Sequence, residues 1–220
     1  MNELISQWLE PPPGGWKCRC GVELEFPGVC DACGEREGRR RAADRVMDRI
    51  ATIPERFRWA TFDSPELANR CNPAHVAKAE SATRRLRSGS VQNIVFLGRA
   101  GLGKTSLACA GLRVLLGAEV GFTGRFCGVT GISDSLRDSA YGKTPESVDL
   151  AKTASLIVLD DVGQEPEKHS QTITEIIHER HNAMKPTIFT TWMSEVDLGN
   201  RYGEGTLRRI LEHSAIVRLS

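Results

Sequence analysis

The sequence predicts an α/β fold in which helices cover a central parallel sheet, preceded by a small cysteine-rich module. Three observations predict it. Short β-rich runs alternate with segments of helical spacing through the second half of the chain, the pattern of parallel strands joined by helices. One of those runs passes directly into a glycine-rich loop ending in Lys-Thr. Four of the seven cysteines crowd into residues 18–33.

In chain order, PPPGG at residues 11–15 neither continues a helix nor joins a central strand, so residues 1–15 read as a short arm. Residues 16–34 are compact, Cys-rich and poor in long apolar periods, and the Arg-dense helix formers of residues 35–52 follow as a helical linker. The main domain spans residues 53–220. Ile53, Phe57 and Phe62 punctuate its leading segment, and a helix is expected at residues 74–87. Asn93–Leu97 (NIVFL) is the first strand; residues 104–116 place Leu107, Val114 and Leu115 at helical spacing, and Gly117 stops that helix. A weaker strand at 124–129 and a helix at 133–140 precede a second buried strand at 155–159. Ile173, Ile176 and Ile177 predict a helix over 168–183 that Pro186 ends, and Thr187–Thr191 (TIFTT) is the third strand. A helix at 206–212 and an edge strand at 215–219 close the series.

Composition bounds the function. A chain of 220 residues with 40% hydrophobic content suits one globular domain with an appendage. With 29 Lys+Arg against 28 Asp+Glu the net charge is +1, which excludes an acidic solvating tail or a uniformly basic coat, so any nucleic-acid contact is local. No apolar run approaches the roughly 18 residues of a membrane span, and MNELISQWLEPPPGG has no basic segment followed by an apolar one. A cytoplasmic protein without membrane contact is expected.

Residues Gly98, Arg99, Ala100, Gly101, Leu102, Gly103, Lys104 and Thr105 fit G-x-x-x-x-G-K-[ST] between a strand and a helix. The glycines let backbone N–H groups turn toward an anion, and the helix N-terminus adds its partial positive charge. Lys104 reaches the outer phosphates, Thr105 ligates Mg²⁺, and Ser106 completes the nucleotide-binding set. ATP with Mg²⁺ is therefore the expected ligand. Such a site also needs a carboxylate at the end of a neighbouring strand to hold the metal, and a second group to act on the attacking water. Leu156-Ile157-Val158-Leu159-Asp160-Asp161 supplies both: Asp160 for magnesium and Asp161 for water activation. The alternative for Asp161 is a cap on the following turn.

FLGRAGLGKTSLA, LIVLDDVGQE, ITEIIHERHNAMKPTIFTT and TLRRIL together resemble the AAA+ ATPases of the bacterial replicative helicase loader group, the DnaC-like and DnaI-like proteins, with the transposition helper ATPase IstB as a cousin. The resemblance covers about residues 53–220, and IPERFRWATF is similar to the family segment that leads into the nucleotide pocket. It implies an AAA+ domain that self-associates in a ring or spiral, a hexameric replicative DNA helicase as partner, and single-stranded DNA as ligand. It implies that Arg209 is an arginine finger reaching a neighbour's ATP, with Arg208 adjacent and an ion pair with Glu212 as the alternative reading of Arg209. It implies a γ-phosphate sensor at the end of the TIFTT strand, where Thr191 supplies a hydroxyl and Trp192 stands in the usual Asn position, a departure that points to slow hydrolysis. With the sequence ending at Ser220, no C-terminal helical lid of the kind many AAA+ proteins carry is expected, a truncation that the loader and transposition-helper groups share.

Cys18-Arg19-Cys20-Gly21 and Cys30-Asp31-Ala32-Cys33-Gly34 give two short Cys pairs, each followed by Gly, like the paired knuckles of a zinc ribbon. A structural Zn²⁺ held by Cys18, Cys20, Cys30 and Cys33 replaces the core that so small a module lacks; an iron–sulfur cluster or a redox dithiol is the alternative. Cys71, Cys109 and Cys127 read as small buried hydrophobes, and the five histidines as solvated polar residues. Arg39, Arg40, Arg41, Arg45 and Arg49, and Arg84, Arg85 and Arg87, are the dense basic clusters, read as either solvated helix faces or phosphate tracks. The family resemblance places single-strand contacts at Arg125, Phe126 and Arg137.

The expectation is an ATP-dependent helicase loader, more switch than turnover enzyme. The alternatives are an IstB-like transposition helper and an interaction module with a degenerate nucleotide site.

Overall fold

The structure, a computed structural model, describes residues 12–35, 37–38, 52–118, 124–139 and 143–220, apart from the side chains of residues 117 and 118. Residues 1–11 of the expected arm at 1–15 lie outside the described residues, as do most of the helical linker and Arg39, Arg40, Arg41, Arg45 and Arg49. The chain divides into two compact units, residues 1–46 and 47–220.

In the first unit, β1 (Trp16–Lys17) pairs antiparallel with β2 (Glu23–Leu24), Trp16 opposite Leu24. The turn between them closes by Gly21 N–H to Cys18 O at 2.8 Å, and Cys18 N–H returns to Val22 O at 2.8 Å. Residues 31–35 are helical. Among the described residues of this unit the buried apolar ones are Cys18 and Cys33, so its described part is built around sulfurs.

In the second unit, α1 (Pro65–Arg70) and α2 (Pro73–Arg87) each start with Pro at the first turn, behind an N-cap that accepts a backbone N–H: Ser64 from Leu67 and Asn72 from Ala74. Five parallel strands follow with their helices: β3 (Asn93–Leu97), α3 (Lys104–Ala118), β4 (Gly124–Gly128), α4 (Val129–Asp138), α5 (Glu146–Thr153), β5 (Leu156–Asp160), α6 (Ser170–Asn182), β6 (Thr187–Thr191), α7 (Glu195–Tyr202), α8 (Glu204–Leu211) and β7 (Ser214–Arg218). The sheet order is β4-β5-β6-β3-β7, with β7 at one edge. Alternation along β3 explains why this central strand is apolar throughout. Ile94 and Phe96 join the core on the α2–α3 side with Leu107, Leu112 and Ile188, while Val95 and Leu97 join the opposite core with Ile173, Ile176 and Phe189.

The parallel sheet with covering helices is the predicted fold. Some details differ. α3 continues through Gly117 to Ala118, α4 begins at Val129 rather than 133, and α8 at Glu204 rather than 206. The short helices α1, α5 and α7 carry too few periodic apolar residues to have been predicted. Among the described residues no helix is long and apolar enough to cross a membrane.

Candidate nucleotide site and cysteine centre

The loop of residues 98–103 joins the C-terminal end of β3 to the N-terminus of α3, so free backbone N–H groups of the helix face the space the loop encloses. Two of its glycines are sterically obligatory. A Cβ on Gly98 would lie 2.5 Å from Leu219 O, and one on Gly103, at φ +85°, would lie 2.3 Å from Cys71 Sγ. Close packing of the chain on both sides thus holds the loop in shape. Lys104 is buried and its Nζ donates to Gly98 O at 2.7 Å and Arg99 O at 2.8 Å. Burial lowers its pKa, against the charges of Asp161 and Asp160.

Asp160 ends β5 and is also buried. Its pKa is pushed up to about 6, first by burial, opposed by a hydrogen bond from Thr190, raised further by Asp161, and opposed again by Thr105 and Arg56. Thr190 Oγ1 donates to Asp160 Oδ1 at 2.6 Å. The next residue, Asp161, adopts φ +59°, which few non-glycine residues take. The structure therefore brings together Lys104, Thr105, Asp160 and Asp161, the four residues the motifs pair. It also adds Arg56 and Thr190, which sequence reasoning did not single out. A buried carboxylate this close to a hydroxyl and a lysine, at the mouth of an anion-binding loop, has the donor set that Mg²⁺ with a nucleotide needs.

Thr191 is turned elsewhere. Its hydroxyl donates to Val162 O at 2.6 Å and accepts from Met193 N–H at 3.1 Å. Side chains alternate across a strand, so adjacent threonines do different things: Thr190 reaches the carboxylate, while Thr191 ties the ends of β5 and β6 together. Trp192 is half-exposed and lines a groove of about 830 Å³ with Gly98, Arg99, Leu102 and Leu219.

Arg209 lies on α8, where its Nη1 donates to Gly205 O at 2.8 Å. Among the described residues neither a hydrogen bond nor an ion pair joins it to Lys104, Asp160 or Asp161 of its own chain. The expected alternative partner Glu212 is instead taken by Arg208 at 3.7 Å.

Loop geometry after Asp161 depends on Glu165, a residue whose role the sequence did not disclose. Its fully buried carboxylate accepts from Tyr202 Oη at 2.6 Å, Arg201 Nε at 2.9 Å and Gly163 N–H at 3.1 Å. A second buried charge, Arg180 on α6, donates to Ala151 O, Ala154 O, Pro186 O and Thr187 Oγ1, and burial lowers its pKa to about 10.

The single-strand contacts that the resemblance suggested find a different setting. Phe126 is half-buried and packs against the core. Arg137 is paired with Asp134 and Asp138, both at 3.3 Å, and Arg125 is half-buried beside a hollow of about 200 Å³. The solvated reading fails for His75, which is buried and accepts the Ser220 N–H at 3.4 Å, and for His178, which is hydrogen-bonded to Thr206 at 3.0 Å.

In the first unit the sulfurs of Cys18, Cys20, Cys30 and Cys33 all lie within 4.8 Å of one another, and those of Cys20 and Cys30 are 3.5 Å apart. Four thiolates at about 2.3 Å from a tetrahedral zinc stand about 3.8 Å apart, so the set fits Zn²⁺. The sulfurs compete for protons: backbone N–H groups of Cys20 and Cys30 hold Cys18 down at about 6, while hydrogen bonding led by Cys20 pushes Cys33 up to about 12.

The chain matches the family model of the IstB-like ATP binding protein over residues 35–220. Among solved structures it is similar to the DnaC helicase loader, with 25% identity over 76% of this chain and 100% of that one and a TM-score of 0.63. It shares its fold with a primosome component from Streptococcus pyogenes serotype M3 (20% identity, 77% and 91% covered, TM-score 0.61) and with DnaI (20%, 73% and 96%, 0.59). Among curated proteins none matches with significance. The phosphate loop, the paired strand-end carboxylates and this match over most of the chain agree: the chain belongs to the IstB-like ATP binding protein family.

Proposed function

We propose that the protein is an ATP-dependent loader of a replicative DNA helicase, with ATP binding and hydrolysis as the switch between holding and releasing states. The observation that carries this reading is the likeness to the DnaC helicase loader across the whole of that chain. In the proposed site Gly98–Ser106 cradle the phosphates, Lys104 faces the outer ones, and Thr105 and Asp160 hold Mg²⁺. When bound, the metal neutralises charge on the phosphate oxygens. Asp161 orients and polarises the attacking water. Arg209, which among the described residues bonds none of Lys104, Asp160 or Asp161 of its own chain, serves a neighbouring copy, so hydrolysis depends on a ring or spiral of subunits. Residues 1–15 are proposed as an arm, 16–34 as a structural zinc module that docks partners, 35–52 as a linker and 53–220 as the ATPase domain. Single-stranded DNA is proposed as a ligand of the assembled form, acting in the cytoplasm.

A second reading, the transposition helper, is favoured by the IstB-like family match. Affinity capture from the native host with ATP-bound Asp161→Asn protein as bait separates the two. Recovery of the hexameric replicative helicase supports the loader; recovery of a transposase in its place moves the protein to the second class.

A further inference from the structure

Thr190 is wholly buried on β6. Its hydroxyl donates to Asp160 Oδ1 at 2.6 Å and accepts from Asp161 N–H at 2.9 Å, while its backbone carbonyl accepts from Val162 N–H at 2.9 Å. One residue thus holds three successive positions of the β5 exit: a side chain, then two backbone amides. The middle position is the one that needs holding. Asp161 stands at φ +59°, where an L side chain crowds the backbone, and such a conformation persists only where neighbours over-determine it. A hydroxyl has one proton, and the amide of Asp161 already occupies an acceptor direction. The proton is therefore committed to Asp160 Oδ1, leaving the carboxylate's other acceptor positions for further partners, Thr105 among them.

We propose that Thr190 is a positioning residue of the nucleotide site: its hydroxyl fixes the Asp160 carboxylate for the metal and the Asp161 backbone for water activation in a single act. Removing the hydroxyl leaves the phosphate loop intact, because Thr190 touches none of residues 98–105 by hydrogen bond. It frees the carboxylate to rotate and releases the strained amide. The metal-dependent part of nucleotide binding and the hydrolytic step should suffer together, while metal-independent phosphate binding should not.

This inference rests on the proposed Mg-ATP site, and the experiment separates the two. In the full-length chain, Thr190→Val keeps shape and removes the hydroxyl, Thr190→Ser restores it, and Thr190→Ala stands in where Val fails to fold. A fluorescent ATP analogue is titrated with and without Mg²⁺, and turnover is measured beside Lys104→Ala. Affinity without Mg²⁺ should stay within about twofold of wild type in Thr190→Val, while the Mg²⁺ concentration for half-maximal tightening rises about tenfold, the scale of losing a group that orients a metal ligand. Thr190→Ser should bring that concentration back to near the wild-type value. An unchanged Mg²⁺ requirement in Thr190→Val overturns the proposal, as does a Ser variant no better than Val. If wild type itself shows no Lys104-dependent turnover, the hydrolysis reading falls and the Mg²⁺ titration still decides the role of Thr190.

Discussion

Single residues in the phosphate site make predictions that separate binding from chemistry. Lys104→Ala removes the cation that faces the phosphates and should abolish tight nucleotide binding by equilibrium fluorescence. Asp161→Asn keeps the loop and the metal carboxylate, so it should bind ATP like wild type yet lose hydrolysis; turnover equal to wild type would remove Asp161 from its role. Asp160 predicts a pH effect. Its folded pKa of about 6 lies above the ordinary carboxylate value, so the folded state binds more protons between about pH 4 and 6. Stability contributed by this group therefore falls as pH rises through that window and levels off above it. Without Mg²⁺ and nucleotide, Asp160→Asn should exceed wild type in stability by up to about 3 kcal/mol at pH 8, and denaturant unfolding should show the gap shrinking as pH falls and closing below about pH 4, the ordinary carboxylate value. A gap that ignores pH would refute it. The motif residues were legible because their chemistry is local in sequence: eight consecutive residues make the loop. Thr190 was not, because choosing between two adjacent hydroxyls requires the parity of the strand, which no run of TIFTT discloses.

At the scale of elements, the loop after β5 and helix α7 are joined by one buried carboxylate. Glu165→Ala leaves Tyr202 without its acceptor and Arg201 with only the backbone carbonyl of residue 165, and truncating one partner of a buried ion pair costs about 3 kcal/mol. Chemical denaturation should show that loss, while an effect below 1 kcal/mol would place the loop's support elsewhere. Glu165 and Arg180 escaped sequence reasoning because the partners that bury them include ones 36 and 37, or 26 and 29, residues away. Nothing in DDVGQE or IHERHN marks a buried charge. The start of α7 did carry a signal: Ser194 and Asp197 form a reciprocal capping box that the spacing S-x-x-D announces. The long strands were legible from apolar runs, whereas the two-residue strands of the cysteine unit are too short to show any period.

For the whole molecule the expectation is assembly. If Arg209 acts on a neighbour's nucleotide, Arg209→Ala and Asp161→Asn are each inactive alone, yet mixing them should restore turnover, because each subunit type supplies what the other lacks. No recovery at any mixing ratio would count against action in trans. The cysteine unit makes a separate prediction. Protein purified without chelator should contain about one zinc per chain, as a closed four-cysteine site requires. Cys30→Ser should lose it, with the nucleotide affinity of the second unit retained. Metal analysis showing no zinc would leave the four sulfurs to redox or cluster chemistry.

The packing of Leu219 against Gly98 has a practical corollary. The last residues of the chain run along the rim of the phosphate loop, with Ser220 joined to buried His75. A fluorophore coupled at residue 220 therefore sits within reach of the ligand space and should report nucleotide arrival directly in its emission. Any bulk attached at residue 220 crowds the groove that Ser220 itself lines.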